Sequence, residues 1–168
     1  MKHVLIMGVC GSGKSSVGSA LADRLGMRFL DADDFHPRSN VDHMRAGRPL
    51  DDAMRAGWLD ALGQAVAGSD RPCVIACSAL KRSYRERLTG HAGEMTVVHL
   101  TGERTLLEAR VAARPGHFMP PSLVATQIAD LEPPTGPTVI EIDVAQPKDT
   151  VLKLAHAFVT RAGLPADG

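Results

Sequence analysis

Gly8-Val9-Cys10-Gly11-Ser12-Gly13-Lys14-Ser15 places three glycines, a lysine and two hydroxyls in the spacing G-x-x-x-x-G-K-[ST]. That combination grips the phosphates of a nucleoside triphosphate. Each residue type has a physical reason. Gly8, Gly11 and Gly13 let the backbone turn sharply and bring its N–H groups against phosphate oxygens with no Cβ between them. Ser12 lies within the same turn. A helix opening after the turn adds unpaired N–H groups and the positive end of its dipole. Lys14 reaches the β- and γ-phosphates, and the Ser15 hydroxyl is a ligand for Mg2+. Such a P-loop does not name a reaction, because GTPases, motor ATPases and kinases of nucleotides or metabolites all use it.

Phosphoryl transfer to an alcohol needs an oriented hydroxyl, a proton acceptor and cations around the transferring oxygens. Phe29-Leu30-Asp31-Ala32-Asp33 offers two carboxylates two residues apart. Asp31 is assigned to the Mg2+ shell and Asp33 to the acceptor hydroxyl, as base or as orienting group. Val74-Ile75-Ala76-Cys77 runs into Ser78 with no Walker-B aspartate, so Asp31 is the acid nearest that task. This favours small metabolite and nucleotide kinases over motor ATPases. The guanine-reading pattern Asn-Lys-x-Asp is absent, which counts against a GTPase.

Two further clusters carry charge. Cys77-Ser78-Ala79-Leu80-Lys81-Arg82 with Arg85 follows an apolar run and opens a helix. Ser78 either caps that helix or meets the acceptor, and two of the three cations are expected on a solvated face. Arg110 and Arg114 are four apart and share a helix face, with His117 close behind. That face leads into Arg114 to Pro121, a Pro/Gly segment read as a lid. Its closure would bring arginines onto the ATP phosphates and exclude competing water. His36 and His43, in the polar stretch from Ala32 to Pro49, are candidate ligand contacts or solvated loop residues.

The elements that position these groups are read from hydropathy. Apolar runs at His3–Met7, Arg28–Leu30, Cys73–Ala76, Thr96–Leu100 and Val139–Ile142 are the expected strands. Helical periodicity covers Lys14–Leu25, Asp51–Ala67, Ala79–Leu88, Arg104–Ala113, Ser122–Leu131 and Lys148–Thr160. Strands alternating with amphipathic helices indicate a parallel sheet covered on both faces. The expectation is a three-layer α/β/α fold on five parallel strands, a single domain over residues 1–168. Ligands gather at the carboxyl ends of such strands, where the groups above fall. Residues 32–49 are too long for a simple connection, and with 114–121 they are candidates for closure over a ligand. The turn at Asp143–Pro147, after the last strand, is the expected adenine contact.

Composition narrows the partners. The chain has 168 residues, 44% of them apolar, with 19 basic and 19 acidic side chains. No global field attracts nucleic acid or an anionic membrane, so anions must be handled locally. No apolar run approaches the ~20 residues of a membrane helix. The first is too short for a signal peptide, so a cytoplasmic protein is expected. Cys10, Cys73 and Cys77 suggest buried thiols rather than a disulfide framework or a metal site, with no histidine at finger-like spacing.

Taken together, these segments resemble gluconokinases of the P-loop type, related in fold to shikimate kinase. The resemblance spans nearly the whole chain. It is carried by Gly8–Ser16, by Leu30-Asp31-Ala32-Asp33-Asp34-Phe35-His36-Pro37 with Asn40 and Met44, and by Gly47-Arg48-Pro49-Leu50-Asp51-Asp52 with Arg55 and Trp58-Leu59. Cys77-Ser78-Ala79-Leu80-Lys81 with Tyr84-Arg85 follows, then Arg110, Arg114-Pro115-Gly116-His117-Phe118, Gln127 and Leu131-Glu132. It implies phosphorylation of D-gluconate to 6-phospho-D-gluconate by ATP with Mg2+, and a homodimer. It places Lys14, Asp33 and Arg114 in catalysis, and the glycine segment through Ser16, with Arg110 and Arg114, on the nucleotide. Residues 32–60 become the acceptor region and about 114–122 the lid. Asp33, Arg55, Ser78 and Ala79 line the acceptor pocket, with His36, Arg48, Lys81 and His117 as further contacts. Which of Arg48, Arg55, His36, His43 and Lys81 meets the substrate carboxylate is open. Two alternatives remain. A shikimate-like or nucleoside monophosphate kinase is one, although 4% aromatic residues offer few surfaces for stacking a nucleotide acceptor. A non-catalytic ATP-binding regulator is the other, which would need neither Asp33 nor the arginine pair.

Overall fold

The structure, a computed structural model, describes residues 2–115 and 121–163. All five apolar runs form strands: β1 His3–Met7, β2 Arg28–Asp31, β3 Cys73–Ala76, β4 Met95–Thr101 and β5 Val139–Asp143. They pair in parallel in the order β2-β3-β1-β4-β5. Helices α1 Lys14–Leu25, α2 Arg38–Arg45, α3 Asp52–Ala67, α4 Arg82–Ala92, α5 Arg104–Ala112, α6 Ser122–Asp130 and α7 Lys148–Ala162 connect them.

Side-chain alternation along β1 explains the three layers. Val4 to Met7 are all 0% exposed, as a central parallel strand requires. Val4 and Ile6 pack with Val17 and Leu21 of α1, Leu107 of α5 and Val151 and Ala155 of α7. Leu5 and Met7 turn the other way, onto Trp58, Leu59 and Leu62 of α3 and Tyr84 and Leu88 of α4. The two-residue period of a strand thus divides one apolar run between two cores. The chain leaves β1 on one side for β2 and β3, then returns to the other side for β4 and β5. This reversal leaves a crevice at the carboxyl end of β1, where the glycine loop begins.

Three elements differ from expectation. Residues 32–49 are not one long loop: they hold a 3-10 turn over Ala32–Phe35 and then α2. Helix α2 buries only Asn40 and Met44, so it shows no apolar stripe to be read. Helix α4 starts at Arg82 rather than Ala79, because Ala79 takes a positive φ of 43° and Lys81 caps the helix in extended geometry. Ser78 is therefore not the cap. Helix α3 begins one residue later than expected, with Asp51 as its cap accepting the Met54 N–H at 2.8 Å. All three cysteines are buried free thiols.

Candidate active site

The glycine loop links β1 to α1 with backbone torsions that side chains resist. Gly8, Gly11 and Gly13 have φ of 152°, 84° and 85°. A Cβ at Gly8 would lie 2.6 Å from the Leu100 carbonyl oxygen and 2.8 Å from Ser12 Oγ. Gly8→Ala therefore combines a torsional cost of roughly 1–3 kcal/mol with a backbone clash. A fall in melting temperature of about 5 °C or more is expected by calorimetry, whereas an unchanged melt would show that the loop can shift freely.

Ser12 Oγ is buried with no hydrogen-bond partner among the described residues, an orphan that a bound phosphate can satisfy. Lys14 Nζ donates to the Val9 carbonyl at 3.2 Å, which folds the ammonium back over the loop. Ser15 Oγ donates to Asp31 Oδ2 at 2.5 Å, and Asp31 Oδ1 accepts the Asp33 N–H at 3.0 Å. A hydroxyl and a fixed carboxylate thus meet beside the loop. From above, Gln127 of α6 accepts the Cys10 N–H at 2.8 Å.

One cleft joins this loop to the acidic strand end. Its walls include Gly11, Gly13, Lys14 and Ser15, then Asp31, Asp33, His36, Leu50, Arg55, Trp58 and Ser78, with Arg114, Thr126 and Gln127 opposite. The His36 ring stacks on Trp58 at 4.1 Å and 15° between planes. Trp58 is held by donation of its Nε1–H to the Ala32 carbonyl at 2.7 Å. Burial pushes the His36 imidazole down to about 4, and the Arg55 charge acts in the same direction. His36 is therefore neutral at pH 7.

Arg55 is 7% exposed. Its guanidinium donates to the Tyr84 hydroxyl at 2.8 Å and stands 3.5 Å from Asp130 Oδ2 of α6. Tyr84 in turn donates to Asp52 Oδ1 at 2.5 Å, the same carboxylate that Lys81 pairs with at 3.2 Å.

Several residues singled out in the sequence lie off the cleft. Ser16 and Arg48 are exposed and line no part of it, Lys81 is paired with Asp52, and Ala79 is buried and likewise lines no part of it. Of the three cations only Arg82 is exposed, paired with Glu86, so one rather than two lies on a solvated face. Arg85 is half-buried, donating to the carbonyls of Ala79, Leu80 and Glu132. Arg110 donates to the Val144 carbonyl at 2.8 Å, within the turn after β5 rather than at the P-loop. His43 is bound to the Pro49 carbonyl at 3.0 Å. His117 and most of the expected lid lie outside the described residues. Asn40, Trp58, Tyr84 and Gln127 had no role from sequence. Their contacts join separate elements, which spacing along the chain does not encode.

A family model described as an AAA domain matches residues 4–134. A probable gluconokinase of Xenopus tropicalis is 44% identical, covering 94% of this chain and 93% of its own. The gluconokinase of Gluconobacter oxydans is 42% identical, with 90% and 88% covered. A crystal structure of a gluconokinase from Sinorhizobium meliloti matches with a TM-score of 0.87 at 44% identity, covering 96% of this chain and 93% of that one.

Proposed function

Because the chain belongs to the gluconokinase family, we propose that it phosphorylates D-gluconate within this cleft, with Lys14, Asp33 and Arg114 as the catalytic groups. The reaction takes the γ-phosphoryl of ATP to a gluconate hydroxyl and yields ADP and 6-phospho-D-gluconate. One observation carries the site reading: a single cleft is lined by Lys14 and Ser15 of the phosphate loop and by Asp33, His36 and Arg55 of the acceptor side.

The loop amides and the start of α1 hold the β- and γ-phosphates. Lys14 and Arg114 face the transferring group and offset its charge. Asp33 receives the proton as the new oxygen–phosphorus bond forms and the bridging bond to ADP breaks. Arg110, with Val144, frames the nucleotide end. The residues present fit a hard divalent cation: the Ser15 hydroxyl and the Asp31 carboxylate converge at 2.5 Å, and Mg2+ needs few protein oxygens when phosphates supply the rest. Bound there, Mg2+ neutralises phosphate charge.

Among the cations the sequence offered, Arg55 alone is both buried and on the cleft wall of the acceptor region. It is the partner for the gluconate carboxylate. Arg55→Gln removes a charge-assisted bond of about 1.5–3 kcal/mol. KM for gluconate should rise about 10- to 150-fold, while KM for ATP stays close to its original value. Equal losses for both substrates would take the carboxylate away from Arg55.

Residues 1–168 act as one kinase domain, with the acceptor region over about 32–60 and the lid over about 114–122. The family resemblance supports a homodimer in the cytoplasm. Among the described residues no helix is long and apolar enough to cross a membrane. Coupled ADP release with gluconate, shikimate and AMP as acceptors tests the reading. Gluconate alone should turn over. Equal or better turnover of shikimate or AMP would favour a relative of those kinases, and tight ATP binding without turnover would favour a regulator.

A further inference from the structure

Asn40 is 3% exposed and sits on α2, away from the phosphate loop. Its side-chain nitrogen lies 3.2 Å from the Met54 carbonyl oxygen of α3 and 3.4 Å from Nδ1 of His36. A backbone carbonyl only accepts, so the amide atom facing Met54 must be the NH2 group and not the oxygen. The same nitrogen faces His36, and an amide nitrogen only donates. Nδ1 must therefore be the unprotonated ring nitrogen, and the proton of the neutral imidazole sits on Nε2. Stacking on Trp58 holds the ring plane. Nε2 then faces Asp33 Oδ1 at 3.8 Å, beyond hydrogen-bond reach but on the same cleft wall.

We propose that Asn40 is a positioning residue that locks His36 as the Nε2–H tautomer, making His36 a hydrogen-bond donor to the acceptor and leaving proton removal to Asp33. The inference rests on the acceptor occupying the cleft as argued above. Its chemistry follows directly. A donor-only Nε2 can bind the oxygen of a substrate hydroxyl but cannot take that hydroxyl's proton. A site whose buried donor is matched to a hydroxyl also rejects analogues that lack it, since the donor would be left unpaired. Asn40 thus bears on specificity without touching the substrate.

The test has two arms. Nitrogen-15 spectra of labelled histidine in the full chain at neutral pH, without substrate, report which His36 nitrogen carries the proton. Nε2–H is expected, and Nδ1–H overturns the inference whatever the substrate proves to be. The kinetic arm compares Asn40→Ala in two backgrounds. With His36 present, KM for gluconate should rise about tenfold, the scale of one hydrogen bond, with KM for ATP unchanged. In a His36→Gln background the amide supplies an N–H donor with no tautomer to fix, so the same substitution should change KM by no more than about twofold. Equal factors in the two backgrounds mean a merely structural Asn40 and overturn the inference. Failure of the acceptor reading shows separately, as no gluconate turnover by the unsubstituted protein.

Discussion

Lys14→Ala is expected to lose about 10³-fold in turnover while its melting temperature stays within a few degrees of the unsubstituted protein. The two halves of this result have separate causes. Lys14 is half-buried on the cleft wall, and its ammonium donates to one loop carbonyl, that of Val9. Removing it forfeits one modest, partly exposed hydrogen bond of the folded chain, worth about 1 kcal/mol. The helix it opens is anchored further along by Val17, Gly18, Leu21 and Ala22, and alanine is a strong helix former. In the proposed reaction, however, the ammonium would face charge on the transferring phosphoryl, so its absence should raise the barrier far more than it loosens the fold. Steady-state kcat beside a thermal melt checks both halves. Full activity would remove the phosphate loop from the mechanism, and loss of folding would make Lys14 structural.

The parts of the site that could be read from sequence are those encoded in consecutive residues. The phosphate loop is backbone chemistry set by three glycines at fixed spacing, so no tertiary knowledge was needed. The same holds for Asp31, which ends a strand, and Asp33, two residues on, so both must arrive at the carboxyl edge of the sheet. The choice among Arg48, Arg55 and Lys81 could not be made that way. It depends on α3 turning Arg55 inward onto Tyr84, and on Asp52 capturing Lys81. Helix α2 was hidden for a similar reason. With only Asn40 and Met44 buried, its stability rests on contacts from α3 and the preceding turn rather than on an apolar stripe of its own. The start of α4 falls three residues after the periodic stretch begins because of the left-handed torsion at Ala79, a conformation that composition does not announce in a non-glycine residue. The Trp58 stack on His36 joins residues 22 apart in number, and nothing local predicts it.

Asp33→Asn separates the two ends of the cleft. The substitution keeps the shape of the side chain but removes its capacity to take a proton, so kcat should fall by about 10²- to 10⁴-fold. ATP affinity should move by no more than about threefold, less than 1 kcal/mol, because the tie that orders the strand end is made by the Asp33 backbone. Its N–H donates to Asp31 Oδ1 at 3.0 Å, and the amide variant keeps that N–H. Asp31 and Ser15 therefore stay in place beside the phosphate loop. Stability should also hold, since the Asp33 side chain is 49% exposed. Single-turnover kinetics with ATP in excess, set beside equilibrium ATP binding, distinguishes a slow chemical step from poor nucleotide capture. Were ATP binding to weaken while the single-turnover rate survived, Asp33 would belong to the nucleotide and not to the acceptor. The proton would then need another home, and His36 cannot provide it while Asn40 holds Nδ1 as the acceptor nitrogen.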